Sequence, residues 1–237
     1  MSRRIEISTR ETWLKIRRQH LQASEAAAVL GCSPWMTADQ LFDLKTGRSE
    51  EKDIGDSPAI QRGVASEPLI RALVPIDLPE MTVTAYRQYD IWQCDEPGCE
   101  FMGATLDGEL HDSARNEDGI LECKTGSVRG LRNLAERGWG ADEVPQHYYV
   151  QILAQLACCP WARFVLVAGR LTCDWFRGNE PQRMPMVFTE YRRLDRSDAE
   201  ADIQSVKDEC KKFWGYVTAD RRPPLTITTT IKGVFSK

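Results

Sequence analysis

The run Gly119-Ile120-Leu121-Glu122-Cys123-Lys124-Thr125 constrains the fold more than any other stretch of the chain. Ile120 and Leu121 mark a short apolar strand, yet a glutamate and a lysine follow two residues apart. A strand alternates its faces with a period of two, so Glu122 and Lys124 point the same way, roughly 6–7 Å apart. Such a pair is ordinary on a surface strand. Beside buried neighbours it is costly, and then it marks a site. A lone acid in a turn-forming Asp107-Gly108 pair precedes Glu122 by 15 residues.

The rest of the chain is read around that strand. At 237 residues it suits one large domain or two small ones, with ample length for a core. Its formal charge of -4 gives no general attraction to nucleic acid, so any such contact must come from local basic patches or bound cations. The polar start MSRRIEISTR lacks the apolar stretch of a signal peptide, and no run approaches the ~20 apolar residues that span a bilayer. With 8 cysteines in such a chain, reduced thiols and a cytoplasmic setting are expected. Cys94 and Cys99 offer half a metal site or a redox pair, without a second pair at finger or ribbon spacing.

Periodicity predicts a short basic helix over 10–22 and a small-residue helix over 24–31, with Ser24 as N-cap and Gly31 as stop. An amphipathic helix follows over 38–47. A further helix opens at 62, with Ala65, Leu69, Ile70 and Leu73 on its inner face. Residues 81–94 alternate like a strand that pairs with FMGATLDGEL and GILECKT in a meander. A helix over 146–159, strands at RFVLVAGRL and MPMVFTEYRR, and an amphipathic helix with Ile203, Val206, Cys210 and Val217 inward complete the order. The expected fold class is α/β: one domain over 1–237, a central mixed β-sheet flanked by helices, with its core within 13–217 and a C-terminal extension over 218–237.

Glu67, Asp107, Glu122 and Lys124 together are the inventory needed to cut a phosphodiester. Oxygen ligands suit Mg²⁺, with Mn²⁺ able to substitute. The Cys123 carbonyl offers one more oxygen, and Lys124 can orient the attacking water or steady charge on the phosphorus. Gln151 and Gln155 share a helix face at i, i+4. Arg129, Arg132 and Arg137 follow the strand in a loop placed to meet a DNA backbone.

In chain order, Trp13 with Arg17, SEAAAVLG and SPW, LFDLKTG, RGVASE, LDG, LECKT and YYVQILAQL resemble the motifs of the YqaJ-like viral recombinase and lambda exonuclease family, within the PD-(D/E)XK nucleases. Leu106 stands where the family motif has proline. The resemblance implies a restriction-endonuclease-like core. Glu67, Asp107, Glu122 and Cys123 would hold the metal, with Asp107, Glu122 and Lys124 catalytic. Arg17 would grip a 5′-phosphate with help from Ser24, and Gln151 takes the family's glutamine position. The implied activity is digestion of linear duplex DNA from 5′-phosphorylated ends to leave 3′ single strands. Double-stranded DNA ends, a single-strand annealing protein and further copies of the chain are the implied partners. Two alternatives stand beside it: an endonuclease or single-strand nuclease of the same core, and a noncatalytic DNA-binding recombination protein.

Overall fold

The strand expected around Glu122 is the centre of a five-stranded mixed sheet. The computed structural model describes residues 3–50, 57–128, 131–140, 143–173, 176–177, 180–181 and 186–224. In chain order these form β1 (Arg3–Ile5), α1 (Arg10–Arg18), β2 (Leu21–Gln22), a 3-10 turn (Ala23–Glu25), α2 (Ala26–Val29), α3 (Ala38–Lys45) and α4 (Pro58–Asp77). Next come β3 (Met81–Ala85), β4 (Ile91–Gln93), β5 (Met102–Ala104), β6 (Gly108–Asp112), β7 (Glu117–Val128), α5 (Leu131–Glu136) and α6 (Gln146–Cys158). The remainder is β8 (Phe164–Cys173), β9 (Phe176–Arg177), β10 (Glu180–Pro181), β11 (Met186–Asp195) and α7 (Arg196–Thr218).

The large sheet runs β11-β8-β7-β6-β3, with β7 and β8 parallel and the other neighbours antiparallel. A parallel pair needs a crossover, and α5 and α6 supply it. A second sheet runs β1-β4-β5-β2, and β9 with β10 forms a separate ribbon. Both faces of β7 are covered, so its residues divide between two cores. Leu121 and Cys123 join Ile70, Val74, Met81, Leu110, Phe164 and Leu166 beneath α4. Ile120 joins Val165, Val167, Ile152 and Leu153 beneath α6. Period two therefore sends Glu122 and Lys124 toward α6. The amphipathic α7 packs against α6 through Ala199, Ile203, Val206, Cys210 and Phe213.

Several sequence expectations change here. The runs 81–94 and 101–110 are not single strands of one meander. Each breaks in the middle: β3 and β6 belong to the large sheet, and β4 and β5 to the small one. Asp107 sits at the second break, where the chain crosses between sheets. Ser24 is not a helix N-cap. It lies inside the 3-10 turn, where the backbone N–H of Gln22 donates to Glu25 Oε2 at 2.9 Å and α2 begins only at Ala26. On α4 the buried residues are Ile70 and Val74, whereas Ala65 and Leu69 are exposed and Leu73 is half-buried. Among the described residues, no helix is long and apolar enough to cross a membrane. All 8 cysteines are free thiols, including Cys94 and Cys99, which are buried.

Candidate active site

Glu122 is only 2% exposed, so its charge must be met inside the protein. Lys124 Nζ lies 2.5 Å from Oε1. Gln151 Nε2 donates to the same oxygen at 2.6 Å, and Gln155 Nε2 donates to Oε2 at 2.5 Å. Lys124 in turn donates to Gln151 Oε1 at 3.0 Å, which closes a triangle of Glu122, Lys124 and Gln151. The two glutamines stand one turn apart on α6, as their i, i+4 spacing requires. Burial alone would lower the Lys124 pKa, but the charges of Glu122 and Asp107 outweigh it and leave the ammonium more basic than usual. Its Nζ also sits 4.5 Å from the Tyr148 ring centroid.

Asp107 enters from the turn before β6. β6 starts at Gly108 opposite Leu121, so beyond that point β7 pairs with β8 alone. The Cys123 peptide faces past the start of β6, and its N–H donates to Asp107 Oδ2 at 2.7 Å. In a strand the carbonyl of a residue points to the same side as its N–H, so the Cys123 carbonyl faces the side of β7 that β6 leaves open. Burial first, then the charge of Glu122 and more weakly that of Glu67, holds Asp107 well above the usual carboxylate range, against the pull of Lys124. Glu67 approaches from α4; burial raises its pKa, with Arg71 opposing and Glu122 adding to the rise. Arg71 ties this corner together: Nη1 donates to the Asp107 carbonyl at 3.2 Å and lies 3.7 Å from Glu67 Oε2, with the guanidinium 3.6 Å from the Tyr86 ring centroid.

Four elements thus bring Glu67, Asp107, Glu122, Cys123, Lys124, Gln151 and Gln155 to one place. Gln155 is fully buried, so it does not reach a DNA strand; it holds a Glu122 oxygen instead. Among the described residues, no three His, Cys, Asp or Glu side chains converge as a finished metal cage. Both oxygens of Glu122 are engaged by Lys124, Gln151 and Gln155. In kind the donors fit a hard dication, because all are oxygen ligands and the charge of Glu122 adds to the raised proton affinity of both Asp107 and Glu67.

Arg17 lies elsewhere, at the end of α1. With Arg18, Glu25, Lys45 and Ser49 it lines a cleft of about 400 Å³. Its guanidinium stands 5.1 Å from the Trp13 ring centroid and 3.7 Å from Glu25, while its Nε is buried without a hydrogen-bond partner. Lys45, 4% exposed, pairs with Glu25 at 2.7 Å and donates to the Arg17 and His20 carbonyls at 3.2 and 2.7 Å. Ser24 is exposed on the 3-10 turn and does not line this cleft. Arg137 is exposed after α5; Arg129 and the side chain of Arg132 lie outside the described residues. Sequence reasoning missed Arg71, Lys45 and Glu25. Only Arg71 carried a signal, four residues after Glu67 on one helix.

The profile of the YqaJ-like viral recombinase domain matches residues 12–162, from the first turn of α1 to just past α6. The chain belongs to that family. The matched YqaJ-like segment contains every residue of the site just described. The uncharacterized protein YqaJ of Bacillus subtilis (strain 168) is 28% identical over 144 residues, which cover 61% of this chain but only 40% of that relative. Among solved structures, an alkaline exonuclease (LHK-Exo) from Laribacter hongkongensis superposes with a TM-score of 0.60 at 20% identity, over 89% of this chain and 93% of its own. The same exonuclease in complex with dAMP gives 0.59 at 20% identity over the same shares. A SOX–DNA complex gives 0.50 at 10% identity, covering 89% of this chain and 68% of its own. The fold of this YqaJ-like chain is therefore that of the alkaline exonuclease.

Proposed function

We propose that this chain is a divalent-metal-dependent DNA exonuclease that digests linear duplex DNA from 5′-phosphorylated ends and leaves 3′ single strands. The observation that carries this reading is the meeting of Glu67, Asp107, Glu122 and Lys124 in one partly enclosed corner. Glu67, Asp107, Glu122 and the Cys123 carbonyl are the residues that would hold Mg²⁺, or Mn²⁺ in its place. Bound there, the dication supplies a lower pKa for the attacking water and offsets charge on the reacting phosphate. Lys124, held more basic than usual by Glu122 and Asp107, is placed to orient the attacking water or to donate toward the attacked phosphate. Gln151 contacts both Lys124 and Glu122, and so fixes how far the ammonium stands from the acids.

End recognition belongs to the α1 cleft. Arg17 offers a permanently charged guanidinium, with Lys45 and Arg18 beside it, in a chain that is acidic overall. Its 3.7 Å contact to Glu25 is loose enough for a terminal phosphate to replace. A single-strand annealing protein is the partner that a 3′ single-stranded product requires. The test is digestion of linear 5′-phosphorylated duplex beside a 5′-hydroxyl duplicate and a covalently closed circle, in Mg²⁺ or EDTA. The reading predicts Mg²⁺-dependent loss of the phosphorylated linear strand alone, and about equal use of both ends by Arg17→Ala. Nicking of the circle would convert the reading to an endonuclease, and no cleavage in any metal would remove it.

A further inference from the structure

Trp35 is 71% exposed, the most exposed large apolar side chain among the described residues. An indole left in water at a fixed place needs an explanation, because the same ring buries 150–250 Å² when covered. The place is fixed: Ser33 Oγ accepts the backbone N–H of both Trp35 and Met36 at 3.3 Å, which holds the turn between α2 and α3. α2 packs on α6, so this turn overhangs the start of that helix. There the Trp35 ring meets His147 edge-on, with centroids 4.8 Å apart at 86°, and Tyr148 at 6.3 Å. His147 meets Tyr148 at 4.1 Å, and the face of Tyr148 carries the Lys124 ammonium at 4.5 Å. A continuous aromatic path therefore leads from the exposed indole to the lysine of the site. His147 braces the indole from one side only.

We propose that Trp35 is a stacking platform for an unpaired nucleobase of the strand being processed. The proposal rests on the nuclease reading above, since the strand is identified by its phosphate at Lys124. Every base presents a π-face, so such a platform tolerates all sequences, as a processing enzyme requires. It also supplies attraction that the chain's net charge of -4 does not. A base held on the indole is drawn out of the duplex stack beside the lysine, which keeps the scissile phosphate of a fraying end in reach.

The test places 2-aminopurine as the terminal base of a short 5′-phosphorylated duplex and follows its fluorescence on binding in EDTA, with wild type, Trp35→Ala and Trp35→Tyr. The same proteins are assayed for kcat and KM on linear duplex with Mg²⁺, and for melting temperature. Wild type and Trp35→Tyr should quench the probe; Trp35→Ala should not, and its KM should rise about tenfold with kcat close to wild type. The melting temperature should stay unchanged, since the ring is exposed. Equal probe signals with and without the indole overturn the platform, and so does a changed oligomeric mass of Trp35→Ala by sedimentation with equal signals. An inactive wild type that still quenches through Trp35 removes the nuclease reading and keeps the platform.

Discussion

Glu122 shows how one residue type can be wrong for a position by burial and right by partners. At 2% exposure a carboxylate requires compensation, and three donors within 2.6 Å provide it. Removing any of them has a separable result. Lys124→Ala should lower kcat by roughly 100- to 1000-fold, the usual cost of losing a preorganised charged donor, with an intact far-UV spectrum. Gln155→Leu leaves a Glu122 oxygen without its donor in the interior and should cost about 1–3 kcal/mol in urea unfolding. His147 bears on pH: burial first, and then Lys124, push its pKa down from 6.5 to about 4. Between those values the unfolded chain binds the proton and the folded chain refuses it. Stability therefore falls as pH drops from 6.5 toward 4. His147→Gln should show a smaller loss of urea midpoint between pH 7 and pH 5 than wild type, and an equal loss would contradict the assignment.

At the scale of elements, β7 does two jobs along its length. Its first half is an interior strand with β6 on one side and β8 on the other; its second half keeps only β8 and frees the Cys123 peptide for Asp107. Close packing fixes its start. A Cβ on Gly119 would lie 2.5 Å from the Phe164 ring, which is fully buried and covered by the Arg193 guanidinium at 3.7 Å. Gly119→Ala should thus cost about 1–3 kcal/mol in denaturant unfolding with kcat little changed, because the strain lies on the α4 side of the strand. The alternation that reveals β7 in the sequence is the same signal that misled at 81–94 and 101–110. Period two continues across Tyr86–Asp90 and Thr105–Asp107 whichever sheet each half joins, so the switch between sheets left no trace. Helices α6 and α7 were legible because their apolar stripes survive packing. The Ser24 cap was not, because Gln22 and Glu25 cap the turn first.

Across the whole molecule, the two cores on opposite faces of one sheet deliver the site. Glu67 comes from the helix over one core and Gln151 with Gln155 from the helix over the other; Asp107, Glu122 and Lys124 come from the sheet between them. The acids and the lysine could be read from the sequence as a set. Gln151 and Gln155 could be read as a pair on one helix face but not as donors to Glu122, and Arg71 was missed, since these contacts arise only through tertiary packing. The YqaJ-like match spans these elements and stops before β8, and the segment from β8 to α7 supports the site by pairing β8 along β7 and packing α7 on α6. The account turns on whether the acids hold a dication that Lys124 now offsets. Calorimetric titration of Mn²⁺ into wild type, Asp107→Ala and Lys124→Ala measures this directly. Binding by wild type, its loss in Asp107→Ala and its retention in Lys124→Ala, where Glu122 is released from its ion pair, is the predicted result. Undiminished Mn²⁺ binding by Asp107→Ala, or none by wild type, would contradict it.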